Sequence, residues 1–303
     1  MLRLVKCLPA LMAVLIASSA NALEYGSTIE NTEWKLSGSI FECRFEQVLP
    51  EYGNGVFYHE AGEDIVFQLE TRKNLMKVGK AGVSITPAPW HPSKKSENLG
   101  FTDLVDDHPN IELDPERSNQ FFHALLEGKQ PVITRRTYYD NSKFIKIHLS
   151  AIHFKDFYRK YLKCVDQLLP MNFSQVARNK IYFGGGKEGL SPEDEELLDR
   201  IIFYMNSDPR VFALYIDGHS DDRGRRYDNR QLSKRRAESV ERYFIKKGIN
   251  PEMLTLRFHG QRYPIASNNK ASGRAKNRRV TVRLEQREDM DIPKELLFVL
   301  PEG

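Results

Sequence analysis

Alternation of apolar and polar positions predicts strands across most of the first half of the chain. It is visible from Lys35 to Phe45 and again over Ile65 to Leu69, and a period of two is what a half-buried strand requires. Clusters at Tyr52-Gly53-Asn54-Gly55, Ala61-Gly62-Glu63-Asp64 and Gly79-Lys80-Ala81-Gly82 read as turns between such runs. The period changes twice. Pro115 opens a helix that carries Phe121, Phe122, Leu125 and Leu126 to a stop at Gly128. After strands over 132–137 and 144–152, a second helix places Phe154, Phe157, Tyr161, Leu162 and Val165 on one broad face, and Pro170 ends it. Short strands with two helices predict a β-rich N-terminal domain over 23–170, either a barrel or a sandwich with helices. A transmembrane barrel would need repeated ten-residue segments with aromatic girdles. The helical patterns and the charged, proline-rich stretch 87–98 argue against one.

From residue 171 the order of elements is different. A strand at Lys180–Phe183 precedes a helix with Ser191 as its cap, Pro192 in the first turn, and Leu198, Ile201, Ile202 and Met205 along one face. A buried strand over Val211–Gly218, a helix over Asn229–Gly248 and strands at Leu254–Phe258 and Val280–Leu284 follow. Strand, helix, strand, helix, strand, strand predicts a two-layer α+β sandwich over 171–286 with its helices on one face. The run Gly184-Gly185-Gly186 is a turn rather than a phosphate loop, because Ile181 and Glu188 stand where that motif needs glycine and a hydroxyl.

Composition adds little to this and charge adds more. The 303 residues are 40% hydrophobic and 28% charged, as in an ordinary folded protein. Met1–Ala22 reads as a signal peptide: Arg3 and Lys6 precede an apolar run, and Ala20-Asn21-Ala22 supplies small residues for cleavage. The expected product is exported, with neither a transmembrane span nor a lipid anchor. Outside that leader, the net charge is −3 over 23–170, +8 over 171–286 and −3 over an acidic tail, 287–303. The basic block could address nucleic acid, anionic lipid or an acidic polymer. Export disfavours nucleic acid and leaves the carboxylate-bearing cell wall as the expected partner. Cys43 and Cys164 are an even pair in an oxidising compartment, so a disulfide closing a 121-residue loop is expected over two buried thiols.

The stretch Asp217-Gly218-His219-Ser220-Asp221-Asp222-Arg223-Gly224, then Asn229, Leu232-Ser233-Lys234-Arg235-Arg236-Ala237, Gly248-Ile249, His259-Gly260, Pro264, Asn268 and Gly273-Arg274-Ala275-Lys276-Asn277-Arg278-Arg279-Val280 resembles the peptidoglycan-binding domain of the OmpA family. Ser220 replaces the family's usual Thr and keeps a hydroxyl. The resemblance implies a pocket for the diaminopimelate residue of the peptide stem, with Asp221 near its ammonium and Arg236 on its carboxylate. The chemistry agrees, since a zwitterion needs one fixed anion and one fixed cation, and a guanidinium binds a carboxylate bidentately. The alternative is a surface ion pair. Asn229, Leu232 and Arg279 are further candidates to line the pocket; Asn229 and Arg279 could equally cap or brace the fold.

Catalysis is not expected. His219, Asp221 and Ser233 contain the side chains of a nucleophilic triad without a nucleophile elbow. His148 and His153, five apart in an alternating segment, are expected on opposite strand faces, so neither a metal nor a cofactor is implied. As a whole, with Cys43-Arg44-Phe45-Glu46 near its start, the chain resembles the T-ring proteins of the sodium-driven polar flagellar motor. That resemblance implies a periplasmic, non-enzymatic protein. Its N-terminal domain would attach to the basal body and a MotX-like ring partner while its C-terminal domain grips peptidoglycan and holds the stator. The alternative is a general envelope protein of the OmpA family, a porin or peptidoglycan adaptor without a motor role.

Overall fold

The computed structural model describes residues 22–71, 74–88, 95–287 and 290–298. The expected leader therefore lies outside the described residues except for Ala22, which begins a strand. Along the N-terminal half run β1 (Ala22–Tyr25), β2 (Trp34–Gly38), β3 (Glu42–Leu49), β4 (Gly53–Glu60), β5 (Val66–Thr71), β6 (Gly79–Thr86), β7 (Glu97–Leu104), β8 (Ile111–Leu113), α1 (Pro115–Leu126), β9 (Gln130–Arg136), β10 (Phe144–His148) and α2 (Phe154–Val165). There follow α3 (Phe173–Val176), β11 (Arg178–Tyr182), α4 (Pro192–Ser207), β12 (Val211–His219), α5 (Arg226–Lys246), β13 (Leu254–Gly260), α6 (Ala271–Asn277) and β14 (Arg279–Gln286). Packing divides the chain into two units. One gathers the described parts of 1–35, 45–57 and 66–158, and the other 36–44, 58–65 and 159–303.

The N-terminal strands form two open five-stranded sheets, in the orders β1-β10-β9-β6-β7 and β2-β3-β4-β5-β8. Neither closes, so of the two architectures expected for this block the barrel drops out. The core of the first unit is aromatic. Trp34 lies 4.7 Å from Phe45 and 5.0 Å from Phe154, and Phe57 lies 5.1 Å from Phe122 and 5.2 Å from Phe67. Helix α1 begins where the sequence predicts because Asp114 accepts the Arg117 N–H and Pro115 needs no donor; Gly128 stops it with φ 79°.

Several expectations need correcting. The alternating run from Lys35 to Phe45 is two strands, broken where Ser39 N–H turns back to Glu42 O at 2.8 Å. Gly79-Lys80-Ala81-Gly82 is the start of β6 rather than a turn, and Gly53 already belongs to β4, the turn lying at Glu51 with φ 63°. Only His148 is in a strand; His153 sits in a left-handed turn with φ 60° before α2. The tail's Ile292 and Leu296 pack against the core of the second unit, and Ile40 N–H donates to Leu296 O at 3.1 Å. Over 290–298 the tail is thus part of the second unit.

In the second unit one sheet has the order β11-β14-β12-β13, with β12 and β13 parallel and the other pairs antiparallel. Leu214, Ile216, Val280 and Val282 face Leu198, Ile201, Ala237, Val240 and Phe244 of α4 and α5. The other face carries Tyr215 between Arg257 and Arg283, whose guanidiniums lie 4.6 and 4.7 Å from its ring. Helices on one face are what the sequence predicts. Ser191 and Asp194 form a reciprocal capping box that fixes where α4 begins. Gly218 lets α5 approach the sheet, since a Cβ there would collide with Ser233 O. Cys43 and Cys164, both buried, are disulfide-bonded with Cα atoms 6.1 Å apart.

Candidate ligand-binding site

The ends of β12 and β13, the start of α5, the loop after β11 and the residues before β14 converge on one cluster. β12 ends at His219, where a bulge at Gly218/His219 shifts the register against β13. Ser220 N–H then donates to Gly260 O at 2.9 Å and Ser220 Oγ to Asp221 O at 2.9 Å. The Ser220 hydroxyl, kept where the family usually has Thr, thus bonds within this turn. Asp221 Oδ1 accepts the Arg223 N–H at 3.2 Å, and Oδ2 accepts Arg278 Nη1 at 3.0 Å. Its side chain keeps 13% of its surface exposed, and a carboxylate has about four acceptor positions, so two remain for a ligand donor.

Arg236 has no accessible surface. Its Nε donates to Lys187 O at 2.8 Å, Nη2 to Gly184 O at 3.0 Å and Nη1 to His219 O at 3.2 Å, while the Phe183 ring lies 5.2 Å from its guanidinium carbon. Three neutral carbonyls, rather than a carboxylate, hold this cation. Burial, followed by the neighbouring Arg278 charge, lowers its pKa to about 10, with Asp221 acting in the opposite sense; it stays protonated at neutral pH. The guanidinium therefore braces the 184–187 loop and supplies positive charge from beneath the cluster.

The other expected site residues divide. Asn229, buried in the first turn of α5, donates Nδ2 to Gln261 Oε1 at 2.9 Å and ties the helix to the segment after β13. Leu232 is half-buried on the same helix. Arg279 lies apart: it is buried, its Nη2 donates to Tyr263 O at 3.2 Å, and its Nε has no partner among the described residues. Arg279 also helps to depress His219, whose pKa falls to about 4 mainly through burial, then through the charges of Arg279 and His259.

The residue missed from the sequence is Arg278. Its Nε donates to Phe183 O at 2.9 Å while Nη1 holds Asp221, which places it in the cluster with Arg236. A signal existed in the adjacent pair Arg278-Arg279, because neighbouring residues entering a strand point to opposite faces. The geometry also separates the would-be triad. Ser233 Oγ accepts the Gly260 N–H and donates to Arg230 O, Asp221 holds Arg278, and the histidine held by an aspartate is His259, on Asp217 at 2.8 Å.

Known proteins share both halves of this architecture. Residues 25–170 match the MotY N-terminal domain family and residues 182–278 match the OmpA family. The chain is 24% identical to the sodium-type flagellar protein MotY of Vibrio parahaemolyticus over 86% of its own length and 89% of that protein. Over 39% of its length it is 32% identical to the peptidoglycan-associated lipoprotein of Pseudomonas putida, covering 70% of that protein. Among solved structures, the C-terminal domain of Helicobacter pylori MotB is similar at 25% identity, with a TM-score of 0.34, over 37% of this chain and 87% of that one. The chain therefore joins a MotY N-terminal domain to a C-terminal domain that belongs to the OmpA family.

Proposed function

We propose that this chain is a non-catalytic component of the flagellar motor that binds peptidoglycan through the cluster at Asp221. The observation that carries the reading is the gathering of one exposed-edge carboxylate with two guanidiniums, Arg278 beside it and Arg236 beneath. Such a set fits the ammonium and carboxylate at the end of a diaminopimelate side chain. Asp221 takes the ammonium. The carboxylate meets Arg278, whose Nη2 donates no hydrogen bond among the described residues, with the Arg236 charge behind it. Similarity to the peptidoglycan-associated lipoprotein supports the wall ligand, and similarity to MotY along most of the chain favours a motor role over that of a general envelope adaptor.

In this reading the protein acts in the periplasm. Its N-terminal domain attaches to the basal body and a MotX-like ring partner, and its C-terminal domain holds the frame against which the stator pushes. One weak pocket per chain becomes a firm attachment when several copies engage the same wall. Among the described residues no helix is long and apolar enough to cross a membrane. Sedimentation with insoluble sacculi tests the wall reading. Wild type should pellet, while Asp221→Asn and Arg278→Gln should remain in the supernatant as folded proteins; equal pelleting of all three would refute the site. Isolated basal bodies test the motor reading, and loss of the chain from them when residues 23–170 are deleted is the expected result.

A further inference from the structure

Beside the Asp221 cluster, between the first turn of α5 and the segment after β13, lies an open groove of about 390 Å³. Its walls include Arg226, Tyr227, Arg230, Phe258, Arg262 and Tyr263, and none of the site residues predicted from the sequence line it. Tyr227 and Tyr263 are 71% and 65% exposed. The Tyr263 ring is nevertheless held in place. Its backbone is left-handed with φ 57°, its carbonyl accepts from the buried Arg279, and its ring meets that of His259 edge-on at 5.4 Å. His259 is in turn fixed by Asp217. This is a preorganised platform, which costs less ordering when a ligand lands on it.

The guanidiniums of the groove are also uncommitted. Arg230 lies 5.1 Å over Phe258, and among the described residues neither Arg226, Arg230 nor Arg262 has a carboxylate partner, whereas neighbouring Arg225 is paired with Asp228 at 2.8 Å. The groove and the Asp221 turn share a wall, because Gly260 O receives the Ser220 N–H and Gln261 receives Asn229. A ligand occupying both places needs flat ring faces for the tyrosines and carboxylate or amide oxygens for the guanidiniums, all on one polymer. Anionic lipid headgroups would satisfy the arginines but present no flat ring face to stack on the tyrosines.

We infer that this groove takes the amino-sugar backbone of peptidoglycan while the stem peptide of the same strand enters the Asp221 cluster. The inference rests on the wall-binding reading above, and two soluble probes separate the two. One is a disaccharide carrying a diaminopimelate-containing tripeptide; the other is that tripeptide alone. Calorimetry on the full chain should find the sugar-bearing probe bound roughly five- to tenfold tighter, the size of one or two aromatic contacts. The double variant Tyr227→Ala, Tyr263→Asn should lose that advantage and bind the bare tripeptide as wild type does, asparagine being chosen because it tolerates the left-handed backbone. Tyr227→Phe with Tyr263→Phe should keep it. Equal affinity of wild type for both probes, or an advantage that survives the ring-less variant, overturns the inference and leaves the Asp221 reading standing. Failure of both probes to bind overturns that reading and the groove with it. Binding to phosphatidylglycerol vesicles through Arg226 and Arg262, with no advantage for the sugar, assigns the groove to lipid instead.

Discussion

Replacing Arg236 with alanine should unfold more than it unbinds. The guanidinium satisfies Gly184 O, Lys187 O and His219 O at once and is entirely buried. Each buried acceptor deprived of its donor costs about 1–3 kcal/mol, so three of them amount to roughly 3–9 kcal/mol, with water entry into the vacated space holding the value toward the lower end. That is a large share of the total stability of about 5–15 kcal/mol typical of a domain. Arg236→Lys keeps the charge, but its compact ammonium cannot span carbonyls contributed by the loop after β11 and by the end of β12, so a loss of about half that size is expected. Urea unfolding followed by far-UV circular dichroism measures both, with the slope checked so that a shift in midpoint reports stability. The contrast is Asp221→Asn, whose one amide oxygen keeps an acceptor for Arg278 while the exposed Arg223 N–H turns to water; it should cost only about 1 kcal/mol while losing the wall. If Arg236→Ala unfolds within about 0.5 kcal/mol of wild type and still fails to bind sacculi, Arg236 is a dedicated ligand group and the brace argument is wrong.

Two further outcomes are expected. Reducing the Cys43–Cys164 disulfide, or replacing both cysteines with alanine, should destabilise the protein by about 4–5 kcal/mol, as loop-closure entropy gives for a separation of 121 residues; calorimetric melting with and without reductant checks this, and unchanged melting refutes it. His219 should make stability depend on pH in one direction. Its folded pKa of about 4 lies below the unfolded value near 6.5, so between these values the unfolded chain binds a proton that the folded chain does not. Stability is therefore complete above about pH 6.5 and declines as pH falls toward 4. The urea midpoint of wild type should drop more between pH 7 and pH 5 than that of His219→Gln, and parallel drops would refute the assignment.

Much of the fold is legible in the sequence because it is written in local chemistry. Asp114 before Pro115, Ser191 before Pro192 and the stops at Gly128 and Gly248 place helices by capping and backbone freedom, which need only neighbouring residues. The apolar run of β12 and the alternation of Val280, Val282 and Leu284 in β14 likewise mark the strands of the core. Local signals also mislead where glycine is concerned: Gly79 and Gly82 read as a turn but lie in β6, where strand pairing to β7 and β9 overrides the propensity. With Cys7 inside the expected leader, the remaining pair predicts a bond, and Cys43 and Cys164 form it.

The chemistry of the cluster divides along the same line. Asp221 and Arg236 stand out in the sequence through the resemblance to the OmpA family, and their opposite charges suit the zwitterionic ligand which that resemblance implies. Which of them faces solvent is not legible there. The burial of Arg236 depends on carbonyls at Gly184, Lys187 and His219, up to 52 residues distant in the chain, and Arg278 enters the cluster only because β11 and β14 pair. The groove at Tyr227 and Tyr263 depends in turn on β13 lying parallel to β12, which brings the end of one strand beside the first turn of α5. Spacing along a chain encodes helices, strands and their faces because these repeat every few residues. Contacts between segments brought together by sheet order have no period, and only the folded structure decides them.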